Sequence, residues 1–219
     1  MSNPYNPLGI PAPRVPFDQP KSLYRYGELT VWSTFRFAAG AVANSTNRLF
    51  TTPRGQNGQG FAPLTISETS IKEGGRVPSG LAYDVFGLAC EISDGRAAGG
   101  AAGTASAMST QLQINDLVNI NHFGVLQWDF QQTVIDISPV ILAGAGGGAF
   151  GALGNAAALG AMQNGNGSVF MYRKSPVALP GNSTFSVQLV FGANAVQLSA
   201  ATDVRITMLG YYKSVIEIA

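Results

Sequence analysis

"LTVWSTFRF", Leu29 to Phe37, is the stretch on which the fold turns. Leu29, Val31, Phe35 and Phe37 fall on one side of an extended chain. Thr30, Thr34 and Arg36 fall on the other. A repeat of two is that of a strand with one face in a core. "TFSVQLVF" repeats it with Phe185, Val187, Leu189 and Phe191. "DVRITM" alternates Val204, Ile206 and Met208 with Arg205 and Thr207. Further strand candidates are "RLFTT", "PLTISETSI", "YDVFGLACEI", "TQLQINDLV", "GVLQWDF", "TVIDISPVIL", "SVFMYRK" and "YYKSVIEI". Clusters of Gly, Pro, Asn and Ser separate them. Convincing helical periodicity appears nowhere. About ten short strands with close turns predict an all-β, antiparallel sandwich or barrel.

Two strands begin alike. "VPSGLAYDVFGL" places Tyr83 and Val85 after the Pro78 turn. "LPGNSTFSVQLV" places Phe185 and Val187 at the same offsets from Pro180. A turn of this kind feeding an aromatic and a valine on one face suits a pseudo-symmetric sandwich.

Outward from these strands the chain changes character. Residues 1 to 22 hold Pro4, Pro7, Pro11, Pro13, Pro16 and Pro20, which exclude a helix or a central strand. The segment reads as an extended arm with polyproline character. It also carries Tyr5, Leu8, Ile10, Val15 and Phe17, more apolar surface than a solvated tail needs. Two Ala/Gly-rich stretches interrupt the rest. Gly95 to Thr110 reads as a long loop. "LAGAGGGAFGALGNAAALGAM", Leu142 to Met162, reads as a loop or as one short helix around "NAAALGAM". The expected division is therefore an arm, 1–22, and a β domain, 23–219.

Composition restricts function. The chain has 219 residues, 46% hydrophobic and 11% charged, with net charge +1. Soluble domains average about 25% charged, so little repulsion keeps copies apart. No Lys/Arg run exists to neutralise several phosphates, and no direct nucleic-acid binding is expected. The N-terminus has no apolar signal region. With the lone Cys90, this suggests assembly in a reducing cytoplasm.

The chemical motifs fail one by one. Gly146, Gly148 and Gly151 satisfy G-x-G-x-x-G, but no Asp or Glu lies between Asp136 and Asp203 to hold a ribose. No Gly-Lys-Ser/Thr follows either, the next lysine being Lys174. Ile137 to Met162 is uncharged and long enough to span a bilayer, yet Pro139, Asn155 and many glycines make a transmembrane helix improbable. A Ser-His or Cys-His site would have to use His122, the single histidine, which reads as an ordinary polar residue. Cys90 reads as a small buried residue. One Cys and one His cannot make a zinc site, and no metal or cofactor is expected. Glu68, Glu73, Asp84, Asp116 and Asp129 offer carboxylates, but no spacing selects a pair. Asn44, Asn166 and Asn182 match the glycosylation pattern and read as turn residues. Trp32 and Trp128 could stack on sugars if exposed together; packing is the expected use.

A β domain with an apolar proline arm, long small-residue loops, little charge and no site remains. Its pattern resembles the jelly-roll coat proteins of tailless icosahedral viruses, especially phages. The resemblance is carried by the arm, by "GGRVPSGLAYDVFGLACEI" and "VALPGNSTFSVQLVFGA", and by the ending "DVRITMLGYYKSVIEIA". These look like jelly-roll strands fed by Pro-Gly turns and closed by a C-terminal strand pair. The resemblance implies a single jelly roll and a non-enzymatic capsid subunit, one that forms trimers or higher oligomers with itself and meets other capsid proteins. It implies location in the virion after assembly in the host cytoplasm, with contact to an internal viral membrane left open. The alternatives are a phage tail or spike component and a carbohydrate-binding sandwich.

Overall fold

The computed structural model describes residues 22–42, 45–94, 111–143, 148–155, 158–164, 170–171, 176–193, 196–199 and 201–217. Residues 1–21 of the expected arm, and the whole Gly95–Thr110 loop, lie outside these. The described chain is mostly antiparallel sheet. Its strands are β1 (Ser22–Phe37), β2 (Gly40–Val42), β3 (Thr46–Leu49), β4 (Leu81–Asp94), β5 (Gly124–Phe130) and β6 (Thr133–Pro139). After them come β7 (Gly148–Asn155), β8 (Ala158–Asn164), β9 (Phe170–Met171), β10 (Val177–Leu179), β11 (Phe185–Phe191), β12 (Val196–Leu198) and β13 (Thr202–Glu217). One α-helix, α1, spans Gln111–Phe123. A 3₁₀ turn, Val140–Ala143, follows β6.

Two sheets form the sandwich. The first has the order β1-β13-β4-β10, with β9 also on β4. The second has the order β3-β11-β5-β6. The period-two faces meet between them. Leu29 and Val31 of β1, Val204, Ile206 and Met208 of β13, and Leu88, Cys90 and Ile92 of β4 are buried from one side. Leu49 of β3, Val187, Leu189 and Phe191 of β11, and Leu126 and Trp128 of β5 are buried from the other. Phe37 and Phe191 meet across the gap as an edge-to-face pair, 5.7 Å between ring centres.

The two Pro-Gly turns lie against each other. Asn182 N–H donates to the Val77 carbonyl at 3.0 Å, and Val77 N–H donates to the Ser183 carbonyl at 3.0 Å. Gly181 leaves no room for a side chain, since a Cβ there would lie 2.6 Å from the Leu81 carbonyl oxygen. The echoed strands thus start side by side and diverge into opposite sheets, Tyr83 and Val85 in one, Phe185 and Val187 in the other.

The structure corrects several expectations. "TQLQINDLV" is helical, not a strand. Leu117 and Ile120 of α1 are buried, and Asp116, buried beside them, accepts from Ser199 N–H at 2.7 Å and Ser199 Oγ at 2.6 Å. One strong polar anchor replaces the broad apolar stripe by which a surface helix is read in sequence. "PLTISETSI" is turn and loop. The ending is one strand, β13, and not a strand pair. Gly210 sits inside it, where β4 slips register. The segment Gly144 to Gly167 is neither a plain loop nor a helix; its described parts pair as the hairpin β7–β8. The Gly-x-Gly pattern therefore runs into a strand.

The β5–β6 hairpin turns on Gln131 and Gln132, with φ of 48° and 67°. Both are left-handed, as a two-residue primed turn requires, yet neither is Gly, Asn or Asp. Each side chain costs about 1–2 kcal/mol in that conformation. The double change Gln131→Asn, Gln132→Gly should raise stability by about 1–2 kcal/mol in urea unfolding. Unchanged stability would mean that the glutamine side chains already offset the strain.

Candidate subunit-contact surface

The residues singled out for chemistry are not brought together. Cys90 lies in the interior on β4, and His122 is exposed at the end of α1. Burial first, then Glu91, push the Cys90 thiol up to about 12 from 9.0. A thiolate nucleophile is unattainable there at neutral pH. The native protein should therefore resist alkylation by iodoacetamide at pH 8 and label fully after unfolding; fast native labelling would refute this burial. The folded state holds the thiol proton more tightly than the unfolded chain, so this group's contribution to stability is complete below pH 9.0 and is lost as pH rises toward about 12.

Among the described residues no three His, Cys, Asp or Glu side chains cluster as metal ligands. Asp116 is committed to Ser199. Glu68 accepts from Thr65 within one loop. Asp129 accepts from Gln127 Nε2 at 3.2 Å on β5. Glu73 is exposed and Asp84 half-buried on β4. The two tryptophans face apart. Trp128 is buried between the sheets, while Trp32 is half-buried on the outer side of the first sheet, its Nε1 donating to the Ile66 carbonyl at 3.2 Å. They form no common sugar platform. Asn182, with φ of 63°, is a turn residue. No described helix is long and apolar enough to cross a membrane.

Among the described residues are two open clefts. One, of about 340 Å³, has Arg48, Asp129, Gln131 and Thr184 at its wall. The other, of about 590 Å³, lies where Asn115 and Asn119 of α1 face Gln197 of β12. The second is also lined by Ser199 and Asp116, whose hydroxyl and carboxylate are hydrogen-bonded to each other at 2.6 Å; no histidine lines either cleft.

The sheet edges differ more informatively. An uncovered edge invites pairing with other chains unless it is blocked. At β1 the 51–80 segment covers the edge. Arg36 N–H donates to the Gln59 carbonyl at 2.8 Å, and Ser70 N–H to the Trp32 carbonyl at 3.1 Å. Gln59 Nε2 donates to Ser33 Oγ at 3.0 Å. Arg36 is held as well by Asp203, through Nε at 2.7 Å and Nη2 at 2.8 Å, and lies 4.4 Å above the Phe61 ring.

Among the described residues the β6 edge has no such cover. Val134, Ile135, Ile137, Ile141 and Leu142 are all exposed, Ile137 to 62% and Ile141 to 61%. Phe123, also exposed, lies at the end of α1, which packs on the same 3₁₀ turn. In sequence "TVIDISPVIL" resembles a buried strand, because apolar runs carry no mark of which strand ends a sheet. No protein-family model, curated protein or solved structure matches the chain.

Proposed function

We propose that the chain is a structural virion protein, a non-catalytic capsid subunit built on a single jelly roll, which assembles with copies of itself and with other capsid proteins. Strand pairing is the observation that carries the reading. Numbered one to eight, the sandwich strands are β1, β3, β4, β5, β6, β10, β11 and β13. A jelly roll is an antiparallel ribbon wrapped on itself, so its first strand pairs with its last, its second with its seventh, and so inward. β1 pairs with β13, β3 with β11, β4 with β10, and β5 with β6. Wrapping then sets the eighth strand beside the third and the seventh beside the fourth, as β13 pairs with β4 and β11 with β5.

Jelly rolls serve many functions, so pairing alone does not choose one. The uncovered apolar edge and the scarcity of charge favour a subunit over a free module. The full chain should elute as multi-copy assemblies by light scattering, with shells or capsomers in electron micrographs. Removing residues 1–21 should leave the melting temperature nearly unchanged and reduce assembly, because proline-stiffened arms lose little entropy on docking. A monomer that binds glycans and never enters particles would sink the proposal.

A further inference from the structure

We infer that the β6 edge, the 3₁₀ turn after it and the end of α1 form one self-complementary contact, occupied in the assembly by the same surface of a second copy. The inference rests on the capsid reading and says where its copies meet.

Area is the first argument. Val134, Ile135, Ile137, Ile141, Leu142 and Phe123 together expose roughly 500 Å² of apolar side chain, at the upper limit of what monomers leave bare. A standard interface takes roughly 800 Å² from each partner, so this patch with its polar rim is of the right size.

Charge is the second. From Gly124 to Leu142 the charged residues are Asp129, which accepts from Gln127, and Asp136; no Lys, Arg or Glu occurs there. An acidic partner would find nothing to pair with. Interfacial binding to an anionic bilayer would draw on Lys or Arg around the apolar face, and none is there. The best complement to a mainly apolar face without basic groups is another apolar face. The exposed large apolar side chains outside the patch are Ile66 and Val118. Among the described residues, the patch is thus its own best partner, which is the condition for a two-fold contact. The chain's net charge of +1 sets almost no repulsion against it.

Side-chain packing, more than strand addition, holds the contact. Between Trp128 and Asp129 the β5–β6 ladder slips, leaving Ile135 without a partner on β5. A bulge of this kind bends an edge away from regular pairing and re-aims the side chain.

The test uses the full chain and three single variants, Ile137→Lys, Ile141→Lys and Ile66→Lys, in sedimentation velocity over a concentration series. All three sites are exposed, so melting temperatures should match the parent protein. Ile137→Lys and Ile141→Lys should each weaken self-association roughly tenfold to hundredfold, with Ile66→Lys associating like the parent. Ile137→Lys associating like the parent would overturn the inference and leave the capsid reading standing. Dimers lost in Ile137→Lys, from a protein that never forms larger assemblies, would support the contact and count against the capsid reading. A parent protein monomeric at every concentration would overturn both. Flotation of a monomeric parent with phosphatidylcholine vesicles, abolished by Ile137→Lys, would assign the patch to lipid and overturn the inference.

Discussion

Replacing Phe185 with alanine should cost the domain about 3–5 kcal/mol, the range for deleting a large buried aromatic side chain. Phe185 is 4% exposed and begins the inner face of β11. Its ring centre lies 5.9 Å from that of Phe50, itself fully buried, and Phe130 stands opposite it on β5. Phe185 N–H also donates to the Gly75 carbonyl at 3.0 Å, so the backbone is fixed and cannot collapse into the space left behind. Urea unfolding should show an earlier midpoint at unchanged slope. Gln188 tests the other face. It points outward between Arg48 and Gln127, yet it is buried. Gln188→Ala should cost about 1 kcal/mol through lost packing, more than an exposed residue would. Equal, small effects at both positions would show that the inward register of β11 is wrong.

Gly210→Ala should be as damaging for a single methyl group. A Cβ at Gly210 would lie 2.1 Å from the Asp84 carbonyl oxygen and 2.9 Å from the Val85 Cα. Both are backbone of the paired strand and cannot swing aside. The close approach occurs where β13 and β4 slip register, with Phe86 as the extra residue and its ring 5.5 Å from that of Tyr211. Adding a methyl must push the two central strands of the first sheet apart, at a cost of about 3 kcal/mol or more. Gly192→Ala is the control, because nothing lies within 4 Å of a Cβ there. It should be neutral or slightly stabilising by restricting the unfolded chain. A Gly210→Ala protein that melts like the Gly192→Ala protein would show that the bulge is not formed as described.

The sequence by itself determined which side chains face the core. Leu29, Val31 and Phe37, Phe185 to Phe191, and Val204 to Met208 are buried as their alternation requires, because the extended backbone alone sets a period of two. It also determined that β4 and β11 are each entered through a Pro-Gly turn. Partners were decided elsewhere. Which strands lie side by side depends on contacts between residues far apart in the chain, such as Ser22 with Glu217, and local pattern carries no term for them. Gly210 looks like a strand breaker locally, but close approach of β4 makes it the residue that lets β13 continue. α1 has too narrow an apolar face to be read as a helix, and contacts made by folding, the burial of Leu117 and Ile120 and the Asp116–Ser199 bond, secure it. Val134, Ile135 and Ile137 are as apolar as a core strand, and sheet order alone placed them at an uncovered edge. Hydrophobicity fixes that a side chain seeks cover; only the assembled sheets decide whether the same chain supplies it.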